Sequence, residues 1–166
     1  MLYYTMHKKP SDPLHAACFS AARAAAIAAR IRVLAARAAR RWQHVSGWSG
    51  EALARLAAFA CRGKLVRGQL VLLGAELGGM RPSRALYECA AALELFHSSI
   101  LVHDDIIDQD AVRRGAPTMH AQYAAALRAR GEHGSSAHRG AALAICAGDC
   151  GFFLTFAILG ALSVPA

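Results

Sequence analysis

An all-α fold is predicted by three features of this 166-residue sequence: alanine and leucine dominate, aromatic residues make up only 7 %, and the apolar–polar alternation of strands is scarce. The length fits one domain with a respectable core. Five cysteines, at 18, 61, 89, 146 and 150, are odd in number and form no CxxC pair. That pattern suits a reduced, cytoplasmic setting with cysteines packed in the core. The formal charge of +8 is compatible with nucleic acid, anionic lipid or a polyanionic small molecule. The arginines are scattered among alanines, without a lysine run interleaved with aromatics, which argues against nucleic acid.

Residues 1–17 hold Pro10 and Pro13 without a clear period and read as a loose arm; residues 18–166 read as the helical domain. A first helix is expected over 18–42, where Ile27, Ile31 and Leu34 form an apolar stripe and Arg23, Arg30 and Arg37 share another face. An arginine-rich start also resembles a transit peptide, but the regular stripe favours a structural helix. Ser46-Gly47-Trp48-Ser49-Gly50 is a break, with Ser49 a candidate cap for a helix over 50–61. Arg62-Gly63-Lys64-Leu65-Val66-Arg67-Gly68 precedes a helix ending near Leu77, and glycine beside cations at a helix start can hold phosphate. Gly78-Gly79 closes that helix, and Pro82-Ser83 opens the next. A loop spans 109–118, a helix 118–129, and an exposed turn-like stretch 131–140. The last helix, about 141–162, is apolar from Gly151 onward. That stretch is short for a bilayer span and follows Asp149, so a buried core helix is expected.

The stretch Glu94–Asp110, which begins apolar and reads as a helix, carries the chemistry. Asp104, Asp105 and Asp108 fall within five residues. At about 100° per residue, Asp104 and Asp108 share a face, His97 lies on it two turns back, and Asp105 sits a quarter turn aside. Carboxylates this close repel unless a cation lies between them. Mg²⁺ usually takes one or two carboxylates together with substrate phosphates. The competing reading is a solvated acidic helix end. The apolar residues before it, the scarcity of acid elsewhere and the following Arg113-Arg114-Gly115 favour a Mg²⁺–diphosphate site.

Gly63-Lys64-x-x-Arg67, His97, His103-Asp104-Asp105-Ile-Ile-Asp108, Arg113-Arg114-Gly115-x-Pro117-Thr118 and Ala147-Gly148-Asp149 together resemble the trans-isoprenyl diphosphate synthases, the polyprenyl synthetase family. The resemblance runs from about residue 50 to the end and implies an isoprenoid-synthase-type helical bundle around an apolar cavity. It implies condensation of isopentenyl diphosphate with an allylic diphosphate, of farnesyl or geranylgeranyl type. By resemblance, Asp104, Asp105 and Asp108 hold Mg²⁺ against the allylic diphosphate, Arg113 contacts that diphosphate, and Lys64, Arg67, His97 and Arg114 bind isopentenyl diphosphate. A homodimer, or a heterodimer with a synthase subunit, is the implied assembly.

The sequence departs from the family pattern in instructive places. Leu65 stands where the family usually has arginine and Gly68 where it usually has proline. Family members are roughly twice as long and carry a second Asp-rich motif, whereas the only Asp-Asp pair here is Asp104-Asp105. The chain therefore resembles the N-terminal half of a synthase, with little or no turnover expected alone. Ser99 and Ile100 occupy positions where aromatics restrict products to farnesyl length, which suggests geranylgeranyl or longer products in a full-length context. The alternatives are a non-catalytic helical partner of a complete synthase and a degenerate product without a stable fold.

Overall fold

The computed structural model describes residues 19–45, 48–132 and 134–162. The expected arm over 1–17, Cys18 and the last four residues lie outside the described residues. Among the described residues there are six helices: α1 Ala21–Trp42, α2 Ser49–Cys61, α3 Val66–Leu77, α4 Arg84–Ile107, α5 Met119–Ala129 and α6 Ser136–Gly160. Between α4 and α5 the chain makes a small hairpin, in which β1 Val112–Arg113 pairs antiparallel with β2 Ala116–Pro117. Arg114 (φ 53°) and Gly115 (φ 72°) form its turn, the two left-handed residues that suit a tight two-residue connection.

Local chemistry explains most helix ends. The Ser20 hydroxyl accepts from Arg23 N–H and opens α1; Ser83, as expected, accepts from Leu86 N–H and opens α4. Ser49 does not cap α2. It lies inside the first turn, and its hydroxyl donates to the carbonyl of Trp42, 3.0 Å away, so it ties α2 to the end of α1 instead. Leu65 enters α3 with φ 52°, held there by a side chain buried in the core.

The stripe Ile27, Ile31 and Leu34 packs inward from α1, and Leu53, Leu56 and Phe59 of α2 meet it. Each such side chain stabilises the fold by about 1.5–3 kcal/mol. Helix α4 runs through the middle, in contact with α1, α2, α3, α5 and α6. Helix α6 lies along α4 because its facing residues are small. A Cβ on Gly148 or Gly151 would run into His103 or Ser99, and one on Gly140 would lie 2.7 Å from the backbone nitrogen of Ala124 in α5.

Three expectations are corrected. The stretch 131–140 is not all exposed turn: α6 begins at Ser136, and Ser136 and Gly140 are buried against the bundle. The loop over 109–118 contains the hairpin. The described cysteines are not fully buried: Cys61, Cys89 and Cys150 are half-buried, Cys61 against the core, and Cys146 is exposed, all as free thiols. Helices α4 and α6 are each long and apolar enough to cross a membrane. Here they pack side by side within the bundle, α6 burying Ala144, Ala147, Leu154 and Ile158.

Candidate functional site

Three segments distant in sequence meet beside α4. The loop between α2 and α3 and the first turn of α3 bring Arg62, Lys64 and Arg67, α4 brings Glu94 and His97, and the hairpin turn brings Arg114. They line one cleft of about 350 Å³. Four of the sequence-predicted residues, Lys64, Arg67, His97 and Arg114, are thus gathered.

The loop is fixed from beneath by two buried side chains. Gln69 donates to the carbonyl of Lys64 at 2.9 Å, and Glu94 accepts the N–H of Gly68 at 2.7 Å. Glycine at 68 matters twice: it keeps the N–H that proline would lack, and a Cβ there would press on Ala90, Ile27 and Glu94 at 3.1–3.2 Å. Gly63 leaves room for the Arg114 guanidinium, since a Cβ there would lie 2.6 Å from Arg114 Nη1 and push that flexible end aside. The Arg114 guanidinium also rests 5.9 Å over the ring of Phe59. Burial, then the charges of Arg67 and Arg114, push the His97 imidazole below its ordinary value, with Asp104 opposing. A neutral ring beside three cations can donate one hydrogen bond and accept another.

The aspartates divide rather than cluster. Asp105 is fully buried and accepts a hydrogen bond from Arg113 Nε; its Oδ2 is buried without a partner. Burial pushes its carboxyl upward, and the Arg113 hydrogen bond and charge pull it back. The same hydrogen bond holds the Arg113 guanidinium above its ordinary value. Arg113 also reaches Asp110 at 3.3 Å, so two carboxylates engage it, and it does not line the cationic cleft. Asp104 is half-exposed and Asp108, the residue capping the end of α4, is exposed. Among the described residues, no three His, Cys, Asp or Glu side chains are close enough together to hold a metal ion. Asp104 and Asp108, one turn apart, accept no side-chain hydrogen bond among the described residues, and their oxygens suit a hard divalent cation. They fit Mg²⁺ as a two-carboxylate site open to further ligands; Asp105, paired with Arg113, fits less well.

Sequence reasoning missed two participants. Glu94 was only the start of the central stretch, and its fixed distance to Gly68 depends on how α3 meets α4. Asp149 was part of a motif without a role. It faces His103 Nε2 at 3.2 Å, while His103 Nδ1 faces the carbonyl of Ser99 at 2.8 Å and the ring stacks on Phe152. The Gly148-Asp149 pairing was the available signal: glycine admits the imidazole to which the aspartate then binds.

Below the aspartates, Phe96 and Ile100 continue the Asp104 face of α4, and Phe96 packs on Phe152 and Phe156 of α6 at 5.2 and 6.3 Å between ring centres. Ile100 projects outward, whereas Ser99 is fully buried against Gly151, its hydroxyl donating to the carbonyl of Leu95. An aromatic at 99 would therefore open the α4–α6 contact; Ile100 is the position that faces the apolar surface.

The polyprenyl synthetase family model matches residues 51–166. A geranylgeranyl diphosphate synthase of Sulfolobus acidocaldarius is 45 % identical over 65 residues, covering 39 % of this chain and 19 % of that protein. Heptaprenyl diphosphate synthase component 2 of Geobacillus stearothermophilus is 46 % identical over 61 residues, covering 37 % of this chain and 19 % of its own. The crystal structure of geranylgeranyl pyrophosphate synthase from Corynebacterium glutamicum, complexed with isoprenyl diphosphate and magnesium, superposes with a TM-score of 0.79 at 26 % identity. That superposition covers 87 % of this chain and 42 % of that structure, so this chain spans less than half the length of the proteins it matches.

Proposed function

Because the chain belongs to the polyprenyl synthetase family, we propose that it is the diphosphate-binding half of a prenyltransferase joining isopentenyl diphosphate to an allylic diphosphate. The observation that carries this reading is the cleft in which Lys64, Arg67, His97 and Arg114 converge from three segments beside the aspartate-bearing end of α4. Four permanent cations, Arg62 with Lys64, Arg67 and Arg114, and a neutral imidazole suit a diphosphate, and guanidinium groups bind its oxygens in pairs.

In this reading Lys64, Arg67 and Arg114 grip isopentenyl diphosphate, and His97 orients it. Asp104 and Asp108 would hold Mg²⁺, which when bound neutralises the allylic diphosphate and eases its departure. Asp105 acts through Arg113, holding that guanidinium at the edge of the same site. The apolar face of Phe96 and Ile100 receives the hydrocarbon and keeps water from the allylic cation. Proton loss to the departing diphosphate completes the condensation. Ile100 as the outward residue supports products of geranylgeranyl length or longer, and Ile100→Phe in a full-length context should shorten them.

Turnover requires groups beyond these residues, supplied by a longer chain or by a second one. A non-catalytic partner role is the second reading. It is favoured by Phe153 and Phe156, which α6 leaves 71 % and 62 % exposed, and by the relative that is one component of a synthase. Calorimetric titration with a thio-analogue of an allylic diphosphate, with and without Mg²⁺, tests the first reading. Mg²⁺-dependent binding that disappears in Asp104→Ala is expected; a folded chain that binds nothing overturns it.

A further inference from the structure

A second basic cleft lies between α1, the start of α4 and the end of α6. Arg37 and Arg41 of α1 and Arg84 of α4 stand along it, and its floor is apolar, formed mainly by Leu34, Leu154 and Ile158. Its volume of about 430 Å³ is within the usual range for small-molecule sites.

The charges there do not balance. Glu88 is the acid in the cleft, and it is already shared between Arg30 and Arg84. Arg37 and Arg41 have no hydrogen bond or ion pair among the described residues. The C-terminal ends of α1 and α6 each contribute about half a negative charge, which leaves about two positive charges unanswered by the protein. The Arg30 guanidinium registers the excess: burial first, then the charges of Arg84 and Arg37, lower it from its ordinary value.

We infer that this cleft binds the phosphate ester of a long hydrocarbon chain, the head on Arg37, Arg41 and Arg84 and the tail along Leu34, Leu154 and Ile158. A phosphate monoester carries close to the missing charge, and guanidinium pairs match its oxygens. The concave apolar floor suits one inserted chain, not a flat bilayer surface. This site is separate from the cleft of Lys64 and Arg67 and does not rest on the function proposed for it.

The test is titration of the whole chain with decyl phosphate below its micelle concentration, in EDTA. It uses a Lys64→Gln/Arg67→Gln background so that the other cationic cleft is silenced. One molecule should bind per chain. Arg37→Gln/Arg41→Gln should weaken binding about tenfold through the head. Ala157→Trp, which fills the floor from an exposed position, should weaken it by a similar factor of about ten. Circular dichroism should show both variants folded, as the substituted residues are exposed. The inference is overturned by affinity that neither variant changes, by inorganic phosphate binding as tightly as decyl phosphate, or by binding to phosphatidic acid vesicles without binding to the monomer.

Discussion

The cleft around Lys64 and the cleft around Arg37 carry similar charge and are built in opposite ways. The first draws its cations from a loop, a hairpin turn and a neighbouring helix, and buried Gln69 and Glu94 hold the loop in shape. The second draws its cations from helix surfaces, Arg37 and Arg41 one turn apart on α1 and Arg84 at the start of α4, all with exposed side chains. In the first, the positions of the charges depend on backbone hydrogen bonds that the core enforces. In the second they depend only on α1 and α4 being helices packed side by side. The first cleft should therefore couple binding to stability, and the second should not.

Glu94→Leu should sharpen that contrast most. It leaves the buried Gly68 N–H without an acceptor, at a cost of about 2 kcal/mol, visible as a lower urea midpoint. Gly63→Ala comes next. The added methyl displaces the flexible end of Arg114, so affinity for inorganic diphosphate should fall about tenfold, or about 1.4 kcal/mol, with the midpoint almost unchanged. Unaltered affinity would mean that Arg114 is not part of the cleft's grip.

His97 provides a smaller effect through pH. Its folded-state value is depressed, so the unfolded chain binds more protons in the window just below about 6.5. Stability should therefore hold above that pH and fall as pH drops toward the depressed folded value. His97→Gln should flatten this dependence in urea melts from pH 7 to 5. The smallest effect belongs to Arg37→Gln/Arg41→Gln, expected within about 0.5 kcal/mol of the parent. A large loss there would erase the distinction between the two clefts.

The same contrast explains how much was legible in the sequence. The stripe of Ile27, Ile31 and Leu34 and the cap at Ser83 are local signals, and the structure has both. The gathering of Lys64, Arg67, His97 and Arg114 was legible only through motif spacing, because no local rule says that a loop and a hairpin turn will meet. Asp105 was placed a quarter turn from Asp104 by helix geometry. Whether that turn led to solvent or into the core depended on where Arg113 would be. The start of α6 was misread because Gly-Ser-Ser and Gly140 look like a turn. Contact between Gly140 and α5 overrides that weak preference. The hairpin left a signal in Arg114-Gly115, whose glycine suits a tight turn.

The glycines of α6 have a consequence for the order in which the molecule assembles. Each glycine inside a helix costs about 1 kcal/mol relative to alanine, and Gly140, Gly148 and Gly151 all lie within this helix. As an isolated segment α6 is therefore a poor helix. It becomes a good one only when α4 and α5 are present to receive its bare backbone. Docking and winding are then expected to be one event, late in folding. Amide protons of α6 should exchange together, and sooner than those of α4, whose facing surface is already formed when α6 arrives.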